Sequence, residues 1–452
     1  MRFDDFPSML AYWRDQAPDR PALWHESDGG PKAMSFAELA ATVDRRAAAI
    51  HAEGISCLGL LCESSLECVI ECFAAASAGV RLVLLDAMAP EELLETQVRR
   101  TRIDRLWGDE ELIEVLSPAL APTCPGPDSD EVLFFTSGTT ESAKAVVLTQ
   151  RSLCASAWNG SALLPLRPED RLMCMLPLNH VFGFVCGLLW GLSCGASVAL
   201  GRGARHYADD CAYYRPTALS AVPLLLGFLI GHDALNPELS LILVGAGDCP
   251  PQLLKAAKAR GCRVSFGYGL TETSSGVALS LGDDPLAMTV CPEDRIAIAP
   301  DGEILIDAPT TVMKGYLDAP EDTARALEGG WLHTGDLGRT DDEGRLYVTG
   351  RKKEVLVLRD GTKLFLPEYE GRLGPLLPGR DFAAATRDGR PVLAVAGREE
   401  EREMIARAVA PAMAALPRGQ QIFDILILPG PLPRTATGKV RRWELQQKVG
   451  TP

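Results

Sequence analysis

Basic charge is what this chain has too little of: 45 Lys and Arg stand against 60 Asp and Glu, a net −15, with an isoelectric point near 5.0. No extended basic run relieves that balance, so nucleic acids and anionic membrane surfaces are not the expected partners. Among the 13 cysteines there is no C-x-x-C pair, which excludes the usual zinc knuckle and thioredoxin-like sites. Even the cluster Cys57, Cys62, Cys68 and Cys72 reads as reduced interior residues. The first residues, MRFDDFPSMLAYWRDQ, carry Asp4 and Asp5 and lack an uninterrupted apolar stretch. They do not read as a secretory signal, and a cytoplasmic location is expected. Internal repeats and low-complexity tracts are absent too.

Long uncharged runs are scarce, with one exception. Residues 181–200 contain no charge, and Gly183, Gly187, Gly191 and Gly195 recur every fourth position. That length and spacing suit a membrane helix. A single such run, however, reads better as a buried core helix whose glycines let it lie flush on a neighbour, so no transmembrane segment is expected.

At 452 residues the chain exceeds one core, and roughly 150 residues per domain suggests about three domains or subdomains. Apolar runs over 58–62, 82–85, 132–135, 146–148, 171–176, 197–200, 241–244 and 263–266 read as strands. Helical periodicity intervenes over 35–52, 65–78, 150–161 and 251–260. This alternation predicts an α/β fold with largely buried sheets. Beyond residue 300, glycines punctuate short strands such as 303–306 and 345–348, which predicts a smaller β-rich subdomain. A last block has strands at 355–358, 392–395 and 422–428 and a charged helix over 399–416. The domain boundary is placed at 351–353, giving units 1–350 and 351–452, the second a small α+β domain.

Between two of the apolar runs stands Thr136-Ser-Gly-Thr-Thr-Glu-Ser-Ala-Lys144. Hydroxyls, backbone N–H groups and one lysine make it a phosphate cradle in kind. It is not a Walker A loop, because G-x-x-x-x-G-K-[ST] is missing. Alone, such a loop is more often a polar hairpin turn. Downstream, though, come GYGLTETSS (267–275), GWLHTGDLGR (330–339), GRKKEVLVLRDG (350–361) and PRTATGKVRR (433–442), preceded by MSFAEL (34–39) and LPLNHVFG (176–183). In this order the motifs resemble the adenylate-forming superfamily of acyl-CoA and aryl-CoA synthetases, peptide-synthetase adenylation domains and firefly luciferase. The resemblance covers nearly the whole chain.

The resemblance implies a two-step reaction. A carboxylic acid is activated by ATP to acyl-AMP with release of pyrophosphate, and the acyl group then passes to the thiol of coenzyme A. It also assigns residues. Thr136, Ser137, Gly138, Thr139, Thr140 and Lys144 would wrap the β and γ phosphates. Gly245, Ala246 and Gly247 would turn against adenine, with Tyr268 on the base and Gly269 beside it. Thr271 would touch the α-phosphate and Glu272 would hold Mg²⁺, a role that suits a carboxylate bridging a hard cation to phosphate oxygens. Asp336, with Arg351 near it, would take the ribose hydroxyls. Lys439 would be the catalytic lysine of a mobile C-terminal domain pivoting at Lys353, and the loop around Gly361 would come in for the second step. His180, with Phe182 and Phe184, would face the acid.

The chain also departs from the family pattern TSGTTG-x-PKG, with Glu141 for the second glycine, Ala143 for the proline and Ala145 for the last glycine. Two like charges about 6 Å apart at an effective dielectric of about 20 repel by roughly 3 kcal/mol, so Glu141 should point away from the phosphates or pair with Lys144. The aspartate that holds an amino acid's ammonium in the family has no counterpart in LPLNHVFGF, which favours a plain fatty or aryl acid over an amino acid. An acyl-carrier protein as thiol acceptor is the alternative to CoA, and a non-catalytic nucleotide-binding relative is a third reading.

Overall fold

The computed structural model describes residues 2–122, 129–136, 144–247, 249–358, 363–434 and 440–450. The fold is mixed α/β, and its two largest sheets among the described residues have thirteen and six strands. In the smaller one, Cys57–Cys62, Arg81–Asp86 and Arg105–Trp107 run parallel, and Glu131–Phe135 and Ala145–Thr149 form an antiparallel hairpin at one side. The apolar runs at 58–62 and 132–135 are buried on both faces, as expected where helices and a second sheet cover them.

The larger sheet has two characters. Arg171–Cys174, Ser197–Leu200, Ala218–Ala221, Leu241–Val244 and the first half of Arg263–Leu270 are parallel neighbours. At Gly267 the last of these changes partner: its second half pairs antiparallel with Ser275–Ser280. From there Met288–Val290, Leu346–Arg351, Leu332–Thr340, Glu303–Asp307 and Arg295–Ile298 continue antiparallel. The strand expected over 263–266 therefore runs on to Leu270, because the glycines of GYGL accept the close backbone approach that the new partner requires. A Cβ on Gly269 would lie 1.8 Å from the Ser275 carbonyl oxygen.

Helices start where their caps dictate. Ser35 Oγ accepts from the Glu38 amide at 3.2 Å, and Glu38 Oε2 accepts from the Ser35 amide at 2.8 Å, a reciprocal cap that begins Phe36–Glu53. Thr149 and Ser152 do the same for Gln150–Leu163. In the main core Phe6, Phe73, Phe134 and Phe184 pack in tilted and edge-to-face pairs with centroids 5.3 to 5.8 Å apart.

The uncharged run at 181–200 is not one helix, as the sequence suggested. It is helical from Val181 through Ser193, with a π-helical turn over Val185–Leu189, and after Gly195 it becomes the strand Ser197–Leu200. Gly195 sits at φ +70, a conformation that ends the helix at little cost only for glycine. The glycine stripe packs as anticipated: a Cβ on Gly183 would lie 2.2 Å from the Pro177 oxygen, and one on Gly191 2.6 Å from the Val198 side chain. Among the described residues no helix is long and apolar enough to cross a membrane.

The C-terminal segment has its own three-stranded sheet, Phe382–Arg387, Arg390–Ala396 and Asp424–Leu428. Leu366–Leu373 and Arg402–Ala414 pack on one face through Leu373, Leu393, Val395 and Ile405. Arg442–Gly450 packs on the other through Leu445 and Val449.

Candidate active site

Several of the motif residues meet at the place where the large sheet changes from parallel to antiparallel. Tyr268, just past that point, donates its hydroxyl to Asp336 Oδ2 at 2.8 Å. Arg351 Nε meets the other oxygen, Oδ1, at 2.8 Å, and the backbones of Asp336 and Arg351 are register partners in neighbouring strands. The Asp336 side chain is 4% exposed and that of Arg351 55%, so the carboxylate sits at the floor of a surface site with the guanidinium at its rim. Burial, followed by the Asp336 charge, pushes the Tyr268 phenol well above its usual range. It is a fixed hydrogen-bond donor, not a base.

The carboxylate is aimed by its loop. Gly335 takes φ +70, Thr334 Oγ1 accepts from the Asp336 amide at 3.0 Å, and Glu303 Oε1 accepts from the Gly335 amide at 2.8 Å. Glu303 is buried. Burial alone would raise its carboxyl, but Lys352 at 2.9 Å, the Gly335 amide and His333 outweigh this and hold it below the usual value. Lys352 also reaches Asp301 at 2.7 Å. Neither Glu303 nor Lys352 was singled out from the sequence, since each is one charge among many in a β-rich stretch.

A second chain of contacts joins Glu272 to Lys144. Thr271 and Glu272 open a single 3₁₀ turn after Leu270. Glu272 Oε1 accepts from the Tyr316 hydroxyl at 2.7 Å; the Lys144 ammonium lies 4.4 Å from the Tyr316 ring centroid and 3.1 Å from Asp322 Oδ2. The hydrogen bond from Lys144 holds the Asp322 carboxyl below its usual value. Lys144 thus finds a partner in Asp322, a residue with no motif to announce it. The ends of the hydroxyl-rich loop are tied together, Thr136 N to Lys144 O at 3.0 Å and Lys144 N to Thr136 Oγ1 at 3.3 Å. Ser137, Gly138, Thr139, Thr140, Glu141, Gly361 and Lys439 lie outside the described residues.

The strand-end turn at Gly245, Ala246 and Gly247 packs on the acid-side helix: a Cβ on Gly245 would come within 3.1 Å of the Phe182 ring. Ala246 (φ +61), Ser274 (φ +54) and Ser275 (φ +111) are left-handed although none is glycine. Each costs on the order of 1 kcal/mol, and such outliers concentrate where backbone is shaped for a ligand. His180 precedes the helix that carries Phe182; burial lowers its imidazole pKa, Asp86 opposing, so the ring is neutral at neutral pH. Phe184, expected beside it, instead faces the main core, 5.7 Å from Phe134 and 5.8 Å from Phe6. One helical turn cannot point residues 182 and 184 the same way.

A family model described as AMP-binding enzyme matches residues 10–121 and 103–317. The chain belongs to this family. Its similarity to named ligases extends further. Indoleacetate–CoA ligase of Aromatoleum aromaticum is 29% identical, over 92% of this chain and 93% of its own length. Sulfoacetate–CoA ligase of Cupriavidus necator is 31% identical, over 71% and 67%. In fold, O-succinylbenzoate coenzyme A synthetase of Bacillus subtilis, in complex with ATP and a magnesium ion, superposes with a TM-score of 0.82 at 24% identity, over 97% of this chain and 98% of that one.

This member of the AMP-binding family is an AMP-forming acid–thiol ligase. It activates a carboxylic acid with ATP and transfers the acyl group to coenzyme A, and the residues described above are suited to ATP with Mg²⁺. The donor set fits those ligands: a buried carboxylate for vicinal hydroxyls, an ammonium for phosphate, and a carboxylate for a hard cation.

Proposed function

We propose that Asp336, fixed from two sides by Tyr268 and Arg351, holds the ribose of ATP and so sets the register of the whole site. The observation that carries this is the pair of 2.8 Å contacts on the two Asp336 oxygens. They fix the orientation of a carboxylate, the group suited to accept from a pair of vicinal hydroxyls. Thr136, Ser137, Gly138, Thr139, Thr140 and Lys144 hold the β and γ phosphates, Lys144 exchanging Asp322 for phosphate. Gly245, Ala246, Gly247 and Gly269 give the adenine a flat backbone wall. Thr271 faces the α-phosphate. Glu272 holds Mg²⁺, which when bound neutralises charge on the departing pyrophosphate; Tyr316 aims its carboxylate.

The acid enters between His180 and Phe182 on one side and residues 274–276 on the other. A neutral imidazole and an aromatic ring offer no counter-ion for an ammonium, so the acid class is a plain carboxylic acid, aryl or aliphatic. Relatives that act on indoleacetate, sulfoacetate and oxalate bracket a range of compact acids. Lys439 supplies the ammonium between carboxylate and α-phosphate that offsets the repulsion of two anions. Residues 351–452 form a mobile domain that pivots at Lys353, withdrawing Lys439 and bringing the loop around Gly361 to the site for CoA. CoA, not a carrier protein, is the acceptor, and the acidic chain acts in the cytoplasm.

Carboxylate-dependent exchange of labelled pyrophosphate into ATP tests the reading. Exchange with aryl or aliphatic acids is expected, falling roughly a hundred- to a thousandfold in Lys439→Ala, while the thioester half persists when acyl-adenylate is supplied. Equal loss of both halves removes Lys439 from this role.

A further inference from the structure

The backbone around Lys144 fixes a carboxylate beside its ammonium. Lys144 leads directly into strand Ala145–Thr149, and Gly315–Tyr316 pairs antiparallel with that strand, Tyr316 opposite Val146. Two further backbone bonds, Lys314 N to Val147 O at 2.9 Å and Leu317 N to Ala145 O at 2.9 Å, extend the pairing. Helix Pro320–Ala326 is hooked to the same segment through Thr323, whose Oγ1 accepts from the Tyr316 amide at 2.9 Å and donates to the Ala319 carbonyl at 2.9 Å. A Cβ on Gly315 would lie 2.7 Å from the Thr323 side chain, so the helix sits close on the strand. This frame carries Asp322 to Lys144.

Along the frame the polar groups form a line. Tyr316 donates to Glu272 and presents its ring to Lys144, and the ammonium reaches Asp322 Oδ2 at 3.1 Å. Asp322 Oδ1 accepts from Arg325, one turn on in the helix. Asp322 is therefore shared by two cations. Its side chain is 30% exposed and that of Arg325 75%. When Lys144 departs, the carboxylate keeps the guanidinium and solvent, so no buried charge is left without a partner. Passing Lys144 from carboxylate to phosphate and back costs little in either direction.

We infer that Asp322 is a positioning residue for the departure of pyrophosphate: it holds Lys144 in the empty site, yields it to the β and γ phosphates of ATP, and takes it back as pyrophosphate leaves. This rests on the ligase reading above and adds how the site sheds its first product. A ligand that engages only the released lysine has its affinity reduced by the fraction of enzyme in that state. A partly exposed ion pair is weak, which sets the reduction at about two- to fivefold. Asp322 thus weakens ATP and pyrophosphate, which engage Lys144. It leaves AMP untouched, because AMP carries the α-phosphate alone.

Calorimetric titration of the full chain with ATP, pyrophosphate and AMP, each with Mg²⁺ and without any acid, tests this. Asp322→Asn is expected to tighten ATP and pyrophosphate by about two- to fivefold each and to leave AMP within error. Asp322→Glu, which keeps the carboxylate, should retain the weaker binding of the parent. In a Lys144→Met background the effect of Asp322→Asn should vanish, since Asp322 acts through the lysine. Unchanged ATP affinity in Asp322→Asn, equal tightening of AMP, tightening in Asp322→Glu as well, or an effect that survives Lys144→Met overturns the inference. None of these titrations needs turnover. The ligase reading falls separately, if ATP binds and no carboxylic acid supports pyrophosphate exchange.

Discussion

Asp294 is a carboxyl that the reaction does not use, yet it writes a pH dependence into the fold. It is 7% exposed, accepts from Asn159 Nδ2 at 2.9 Å through one oxygen, and has no partner for the other. Burial, with Glu293 adding to the effect and Asn159 opposing it, pushes the group up to about 7. The folded chain therefore keeps a proton that the unfolded chain releases near the ordinary carboxylate value of about 4. Its favourable contribution is full below about pH 4 and is lost as pH rises towards about 7. Some three pH units correspond to at most about 4 kcal/mol. Asp294→Asn should consequently raise the urea midpoint more at about pH 8 than at about pH 5; a variant with the same pH slope as the parent would refute this. At this scale the sequence was a partial guide. Asp336, Arg351, Thr271 and Glu272 were legible because each sits in a short motif. Tyr316, which bonds to Glu272, Asp322, which pairs with Lys144, and Glu303, which braces the loop of Asp336, lie far along the chain from their partners in ordinary surroundings, and only contact reveals them.

At the scale of elements, the helix from Val181 through Ser193 shows how small residues set position. Gly187 and Gly191 face the strands Arg171–Cys174 and Ser197–Leu200, where a Cβ would lie 3.2 Å from Cys174 Sγ and 2.6 Å from Val198, and Gly183 faces the Pro177 carbonyl, 2.2 Å from where its Cβ would be. The π-helical turn brings Cys186 towards Ser275 and lets the Cys186 carbonyl accept from Ser220 Oγ at 2.7 Å; such turns frequently mark functional surfaces. Gly191→Ala should destabilise by roughly 1–3 kcal/mol through overpacking against Val198, offset in part by the roughly 1 kcal/mol that alanine gains in a helix. Gly160→Ala meets no neighbour and should stabilise by up to about 1 kcal/mol. Denaturant unfolding of the pair checks the contrast, and shifts of the same sign would reject it. The glycine spacing was visible in the sequence. The break into helix and strand was not, because an unbroken apolar run has the same appearance in a buried helix and a buried strand.

For the whole molecule, the proposal that one site serves two reactions rests on a second unit able to move. The last hundred residues have their own sheet and two cores, drawn from residues 364–449. Lys352, tied to Glu303 and Asp301, anchors the chain immediately before the proposed pivot. Proline at 353 would lock φ near −65° and restrict residue 352 as well. Lys353→Pro is therefore expected to keep pyrophosphate exchange within a few fold while thioester formation from supplied acyl-adenylate falls at least about tenfold. A larger loss in exchange than in thioester formation would place the pivot elsewhere.

What the sequence alone determined was chemistry that is local in the chain: the α/β alternation, the phosphate-loop composition, and the ordered motifs that carry Asp336, Glu272 and Thr271. These are written in neighbouring residues, where spacing and residue type suffice. Only the tertiary structure decided which charges face one another and which apolar residues line the site. It turned Phe184 into the core, gave Lys144 to Asp322, and set Tyr268 on Asp336. Such relations depend on contacts between residues up to about 180 positions apart, such as Lys144 with Asp322, and no periodicity or motif encodes them.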